Sequence, residues 1–228
     1  EPAGSTAFTD SSGNEHNGSC TGTTCPSANE GKLSGGFKFD GSNDQINITG
    51  GLNLTGDSPI TISAWIYINN PPATAYAGVI HIGGTGLHVG SAAVFGIRTL
   101  TFHDPGVVQV YGKNELPLRQ WTHVTITHTG GGMSTTKTLL YINTVQEPFT
   151  ELSGAGTPSY SGDTQIGFTE VSQLYFDGTI DEVAVFDRVL SPLEIKELYR
   201  NGFPRVVLDD LKSGETYPDN IRLSGDYV

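Results

Sequence analysis

Polar and apolar residues alternate along most of this chain. In GGFKFDG at 35–41, Phe37 and Phe39 flank Lys38, and in PITISAWIYI at 59–68 the residues Ile60, Ile62, Ala64, Ile66 and Ile68 share one face. A period of two predicts half-buried β-strands. The same pattern or a short apolar run recurs in DQINI at 44–48, GVIHI at 78–82, LHVG at 87–90, AAVFGI at 92–97, TLTF at 99–102 and VVQVY at 107–111. It continues in QWTHVTITH at 120–128, KTLLYIN at 137–143, DTQIGF at 163–168 and GTIDEVAVFD at 178–187. Roughly a dozen short strands separated by turn residues predict an all-β sandwich, and the absence of long helical periodicity excludes α/β folds. Trp65 and Trp121 lie inside alternating strands and read as core.

One segment breaks the pattern. SPLEIKELYRNG at 191–202 predicts a short helix, with Ser191 as N-cap, Pro192 in the first turn, Glu194 completing a capping box and Gly202 closing the C-terminus. Leu193, Ile195 and Leu198 are expected to face the sheet.

Length and composition narrow the setting. At 228 residues the chain can bury a full core as one domain, and 30 glycines with 12 prolines supply many tight turns. A formal charge of −12 repels phosphate backbones and anionic headgroups, so neither nucleic acid nor membrane insertion is expected. Carboxylates and amides are also the hard oxygen ligands that calcium prefers. Cys20 and Cys25, five positions apart, favour a local disulfide and with it a secreted or cell-surface setting, although two reduced thiols are compatible with the sequence alone. The opening EPAGSTAFTDSSG reads as a cut inside a longer protein.

Taken together, DSSGNEHNG at 10–18, FKFDGSNDQI at 37–46, ITISAWIYI at 60–68, QWTHVTIT at 120–127, LLYIN at 139–143 and FDGTIDEVAVFDRVLSPLEIKELYRNG at 176–202 resemble the laminin-G-like, concanavalin A-like jelly rolls of large prokaryotic surface and secreted proteins. The resemblance implies a two-sheet antiparallel jelly-roll sandwich with one short C-terminal helix. It also implies a structural calcium ion held between the early loop and the last long strand, which here selects Asp10, Asn14 and Asp181. DSSGN is also a β-turn sequence, although the metal reading is preferred to a plain turn. A second acidic loop, Asp40, Asn43 and Asp44, has ligand types of the same kind and is equally explained as a turn.

Catalysis finds little support in the residues. Retaining glycan hydrolases need two carboxylates on one strand face, and no alternate-position run of acids is present; Asp181 and Asp187 match in parity but stand too far apart. For glycan binding, which needs aromatic faces and planar polar groups, the candidates are Tyr76, Phe102, His103, Asp104, Tyr111 and Tyr160. His81 and His88 straddle the GGTG turn and can approach one another across a hairpin, while surface histidines are the ordinary reading of both. His123 and His128 have opposite parity and face opposite sides of their strand.

The tail is the last element. DDLKSGETYPDN at 209–220 can be laid over the opening residues, so that RVVLDD at 205–210 reads as the first strand of a following repeat, with Val206–Leu208 pairing near DEVAVF. The expected organisation is one jelly-roll domain over 1–203, followed by a strand and loop over 204–228. The expected function is a non-catalytic, calcium-stabilised carbohydrate-binding or adhesion module with glycan as its partner. A structural spacer contacting protein or a neighbouring repeat is the alternative, and a sandwich-type hydrolase or lyase the least supported.

Overall fold

The computed structural model describes residues 6–104, 107–132, 134, 136–153, 156–170, 174–202 and 221–222. They form two stacked antiparallel sheets and a small hairpin. In spatial order, the first sheet contains β1 (Ala7–Phe8), β2 (Gly18–Ser19), β5 (Ile46–Ile48), β15 (Thr164–Ile166), β7 (Tyr76–Ile82), β8 (Thr85–Gly90), β9 (Thr99–Asp104), β10 (Val108–Gly112) and β14 (Phe149–Ser153). The second runs β13 (Val145–Glu147), β12 (Thr138–Ile142), β11 (Trp121–His128), β6 (Ile60–Ile68), β18 (Asp177–Phe186), β4 (Gly35–Asp40) and β3 (Ser27–Glu30). An eighth strand, β19 (Ile221–Arg222), pairs with β18. The hairpin joins β16 (Phe168–Thr169) to β17 (Leu174–Tyr175).

Alternation decides which side chains meet. Ile60, Ile62, Ile66 and Ile68 of β6 point into the sandwich and are fully buried against Ile80, Ile82, Leu87, Val89, Leu100, Phe102 and Val110 from the other sheet. Burying a side chain of this size is worth roughly 2 kcal/mol, which makes this layer the main source of cohesion. The opposite parity of β6 points out. Trp65 is therefore not part of the inter-sheet core, although it is only 2 % exposed. It lies on the outer surface, with ring centroids 4.9 Å from Tyr199 of helix α2 (Pro192–Asn201). Trp121 is half-buried on the same surface, edge-on to Tyr67.

Helix α2 has the expected boundaries, with the reciprocal Ser191–Glu194 capping box and Gly202 in the left-handed conformation. Ile195 and Leu198 are buried against Tyr141, Ala184, Phe186 and Leu190, but Leu193 is 69 % exposed and faces solvent. Thr61 Oγ1 fixes the approach to the helix by donating to the carbonyl of Arg188 and accepting from the N–H of Leu190.

Three further expectations change. Residues 92–95 of AAVFGI form a helical turn, α1 (Ala92–Phe95), because Gly96 adopts φ 78° and returns its N–H to the Ala92 carbonyl. DTQIGF is split at Gly167, which has φ 83° and where a Cβ would strike the Phe39 ring at 2.2 Å. In β18 a bulge between Asp181 and Ala184, with Glu182 at φ 50°, resets the alternation, so Asp181 and Asp187 do not share a strand face.

The disulfide forms between Cys20 and Cys25 around a short 3-10 turn at Gly22–Thr24. The strand expected at Val206–Leu208 lies outside the described residues. The described tail segment beside DEVAVF is Ile221–Arg222, which pairs with Ala184 and Val185 on the side that β4 occupies at residues 177–180.

Candidate functional site

The outer face of the nine-stranded sheet is built from positions that alternate with its core residues. Pairing along the sheet sets Asn47, Gln165, His81, Gly86, His103 and Gln109 side by side across six strands. The next rung is Gly78, His88, Thr101 and Tyr111. Tyr76 joins the two rungs: its ring stacks on His103 at 4.8 Å, lies 5.8 Å from His88, and its hydroxyl accepts from Gln109 Nε2. Phe95 of α1 closes one end by packing 5.0 Å from Tyr111 and 5.6 Å from Tyr76.

The histidines are not surface residues. His81 is 1 % and His88 0 % exposed, with ring centroids 5.7 Å apart across the β7–β8 hairpin. Burial holds all three imidazoles below their ordinary pKa: His88 well below it, assisted by His81 and His103, and His81 and His103 less far, because the Asp104 charge opposes the effect. The face therefore carries neutral rings at neutral pH. Its polar atoms are under-used. His81 Nδ1, both nitrogens of His88, His103 Nδ1, Thr101 Oγ1 and Gln165 Oε1 are buried with no hydrogen-bond partner among the described residues. Orphaned buried groups of this kind are costly.

Gly86 is the centre of this arrangement. A Cβ there would stand 2.3 Å from His88 Nε2 and 2.9 Å from His81 Nδ1, so both nitrogens converge on the space that the absent side chain leaves. Among the described residues, no three His, Cys, Asp or Glu side chains are grouped to hold a metal ion.

The other candidate residues have different employment. Asp104 shares the inward parity of Leu100 and Phe102, and its carboxylate accepts from Thr85 Oγ1 at 2.7 Å and from the Ser159 N–H at 2.6 Å. Phe102 and Tyr160 belong to the inter-sheet core. Asp10 accepts from the Ser12 N–H and hydroxyl and from the His16 N–H, closing its own loop; Asn14 is exposed. Asp181 accepts from the N–H groups of Lys32 and Leu33, in the turn between β3 and β4 of its own sheet, and from that of Glu182, its neighbour in β18. Asp40 and Asp44 likewise fold a turn, Asp40 taking the N–H groups of residues 42–44 and Asp44 that of Asp40. Each of these carboxylates thus accepts hydrogen bonds from protein donors.

Gln109, Gln165, Thr101 and Gly86 are the residues that motif reading passed over. Each is a polar or small position between apolar neighbours, and the signal lies in lining up the outward parity of successive strands.

The comparisons agree with this architecture. The family model described as the concanavalin A-like lectin/glucanases superfamily matches residues 40–196. No curated protein matches the sequence. Among solved structures, domain 4 of the extracellular GH43 arabinanase AbnA from Geobacillus stearothermophilus, in complex with arabinotriose, aligns with a TM-score of 0.59 at 18 % identity over 86 % of this chain and 87 % of that one. A putative carbohydrate-binding protein from Bacteroides ovatus aligns at 0.54 and 19 % identity over 82 % and 57 % of the two chains. The heptameric pentraxin of Limulus polyphemus aligns at 0.54 and 16 % identity over 82 % and 94 %. At these identities the likeness is one of fold.

Proposed function

The chain belongs to the concanavalin A-like lectin/glucanase superfamily, and from that premise we propose that it is a non-catalytic carbohydrate-binding module of a larger extracellular protein, taking glycan on the outer face of its nine-stranded sheet. The observation that carries this reading is the rung of amides and neutral imidazoles around Gly86, whose nitrogen and oxygen atoms, without hydrogen-bond partners among the described residues, are of the types that pair with sugar hydroxyls. Tyr111, half-buried beside it, adds aromatic surface. No Lys or Arg occurs in either rung, which suits a neutral sugar better than an acidic one. Two neighbours whose names specify carbohydrate, and the disulfide typical of oxidising compartments, support the same setting.

Gly86→Ala tests the site. The added methyl fills the space between His81 and His88, and calorimetric affinity for whichever glycan an array identifies is expected to fall at least about tenfold, or ~1.4 kcal/mol. Far-UV circular dichroism should be unchanged, because only side chains obstruct the new Cβ. Undiminished binding by a folded variant would move the site elsewhere. An array that gives no glycan at all favours the spacer reading, with protein or a neighbouring repeat as partner.

A further inference from the structure

The outer face of the eight-stranded sheet carries a cleft of about 350 Å³, lined by Asn29, Glu30, Gly31, Lys38, Tyr67, Asn69, Trp121 and Thr179. Its floor is one rung of the eight-stranded sheet: Lys38 pairs with Thr179, Thr179 with Tyr67, and Tyr67 with Trp121. At the ~4.8 Å spacing of neighbouring strands this row spans about 14 Å, the reach of a short oligosaccharide. It passes from a cation through a hydroxyl to a phenol and an indole.

The adjacent rung shows what the fold does with such residues when they serve packing alone. There Trp65 sits between His123 and Asp181, covered by Tyr199 of the terminal helix and by the Lys32 ammonium, 5.1 Å from the Trp65 ring centre. Among the described residues, no helix ring or ammonium group is stacked on Trp121 in the same way. The Tyr67–Trp121 pair, with ring centroids 5.6 Å apart and edge to face, stays half-buried at the cleft, where an exposed indole surface has no packing role to repay it.

We infer that this rung is a second, independent carbohydrate site, which stacks a sugar ring on Trp121 and Tyr67 and directs hydroxyls to Asn69, Asn29 and Lys38. The opposite charges of Glu30 and Lys38 both line the cleft and offset each other, so the ligand class is a neutral oligosaccharide. Asn29 Nδ2 already donates to Thr179 Oγ1 at 3.0 Å, leaving its carbonyl oxygen to accept from a hydroxyl. With sites on both outer faces, one domain can bridge two glycan chains.

The two tryptophans make the test direct, since Trp65 is 2 % exposed and acrylamide reaches Trp121 preferentially. Neutral tri- and tetrasaccharides of glucose, xylose, mannose and arabinose are titrated to a few times ~1 mM, the weak end of specific affinity. At least one is expected to halve acrylamide quenching, in the wild type and equally in Gly86→Ala. In the Gly86→Ala background, which removes the first site, the calorimetric signal for that sugar should then be lost on adding Trp121→Ala; if that variant does not fold, adding Asn69→Ala should weaken it at least fivefold. Failure of every sugar to protect Trp121, or binding undiminished in the folded variant, overturns the inference. Loss of protection in Gly86→Ala would show that the two faces are not independent and would overturn it as well, whereas array binding lost in Gly86→Ala with protection retained leaves both sites standing.

Discussion

Replacing Asp181 with Ala is expected to cost the native state about 3 kcal/mol, and Asp181→Asn about half of that. The carboxylate is 5 % exposed and organises the turn that joins β3 to β4: Oδ2 accepts from Lys32 N–H at 2.7 Å and Leu33 N–H at 3.1 Å, while Oδ1 accepts from Glu182 N–H at 2.8 Å. Charge-assisted hydrogen bonds of this kind contribute roughly 1.5–3 kcal/mol each, and partial exposure of the turn lets water recover some of the sum. Gly31 completes the fit, since a Cβ there would come within 2.5 Å of Asp181 Oδ2. The same carboxylate holds the bulge at which Glu182 takes φ 50°. Urea unfolding in calcium and in chelator separates two roles for it. An equal loss in both buffers assigns the carboxylate to its backbone donors, whereas a loss that appears only in calcium assigns it to a cation, as the family resemblance implies.

Why this carboxylate could be singled out from sequence, yet not given its employment, shows where sequence reading ends. Period-two patterning in β6 and β11 and the capping signals of α2 are local, so they were legible from residues within a few positions of one another. Trp65 is buried as its place in an alternating strand implies, but on the outer surface beneath Tyr199, by a parity opposite to Ile62 and Ile66, while Trp121, opposite in parity to Val124 and Ile126, is only half-buried there. AAVFGI has strand propensity, but a single left-handed Gly96 ends it as one helical turn, a tertiary outcome that composition does not announce. The histidine face was half legible. Tyr76, His103 and Tyr111 stand out as separate candidates and His81 with His88 as a pair across a hairpin, and the strand register brings the five together, with Gln109, Gln165 and Gly86 between them. Asp104 was chosen with them because it follows His103, yet in a strand the next residue points to the opposite face.

The same burial that shapes the histidine face makes the fold sensitive to acid well above the carboxylate range. His81, His88, His103, His123 and His128 are all held below the ordinary imidazole value, chiefly by burial. An unfolded chain takes up protons at these rings as pH falls through about 6.5, while the native state leaves them neutral. The stability they contribute is therefore fully present above pH ~6.5 and is lost as pH falls from there toward the native values. His123, whose native value is lowered to about 3 and whose Nε2 meets Ser63 Oγ at 2.9 Å, accounts for of order 4 kcal/mol of that loss by itself. Against a total stability of roughly 5–15 kcal/mol, this is a large share of what holds the fold at neutral pH. Asp40 and Glu194, held low by backbone hydrogen bonds despite their burial, act in the same direction only near and below their ordinary range, so the interval from about pH 6.5 to 5 isolates the histidines. Urea unfolding across that interval is expected to show uptake of at least about two protons, a slope of ~2.7 kcal/mol per pH unit, reduced by about one proton in His123→Gln. A free energy of unfolding that stays flat between pH 7 and 5 would mean that the rings already carry protons in the native state, and the neutral, hydroxyl-receiving character assigned to the face around Gly86 would fall with it.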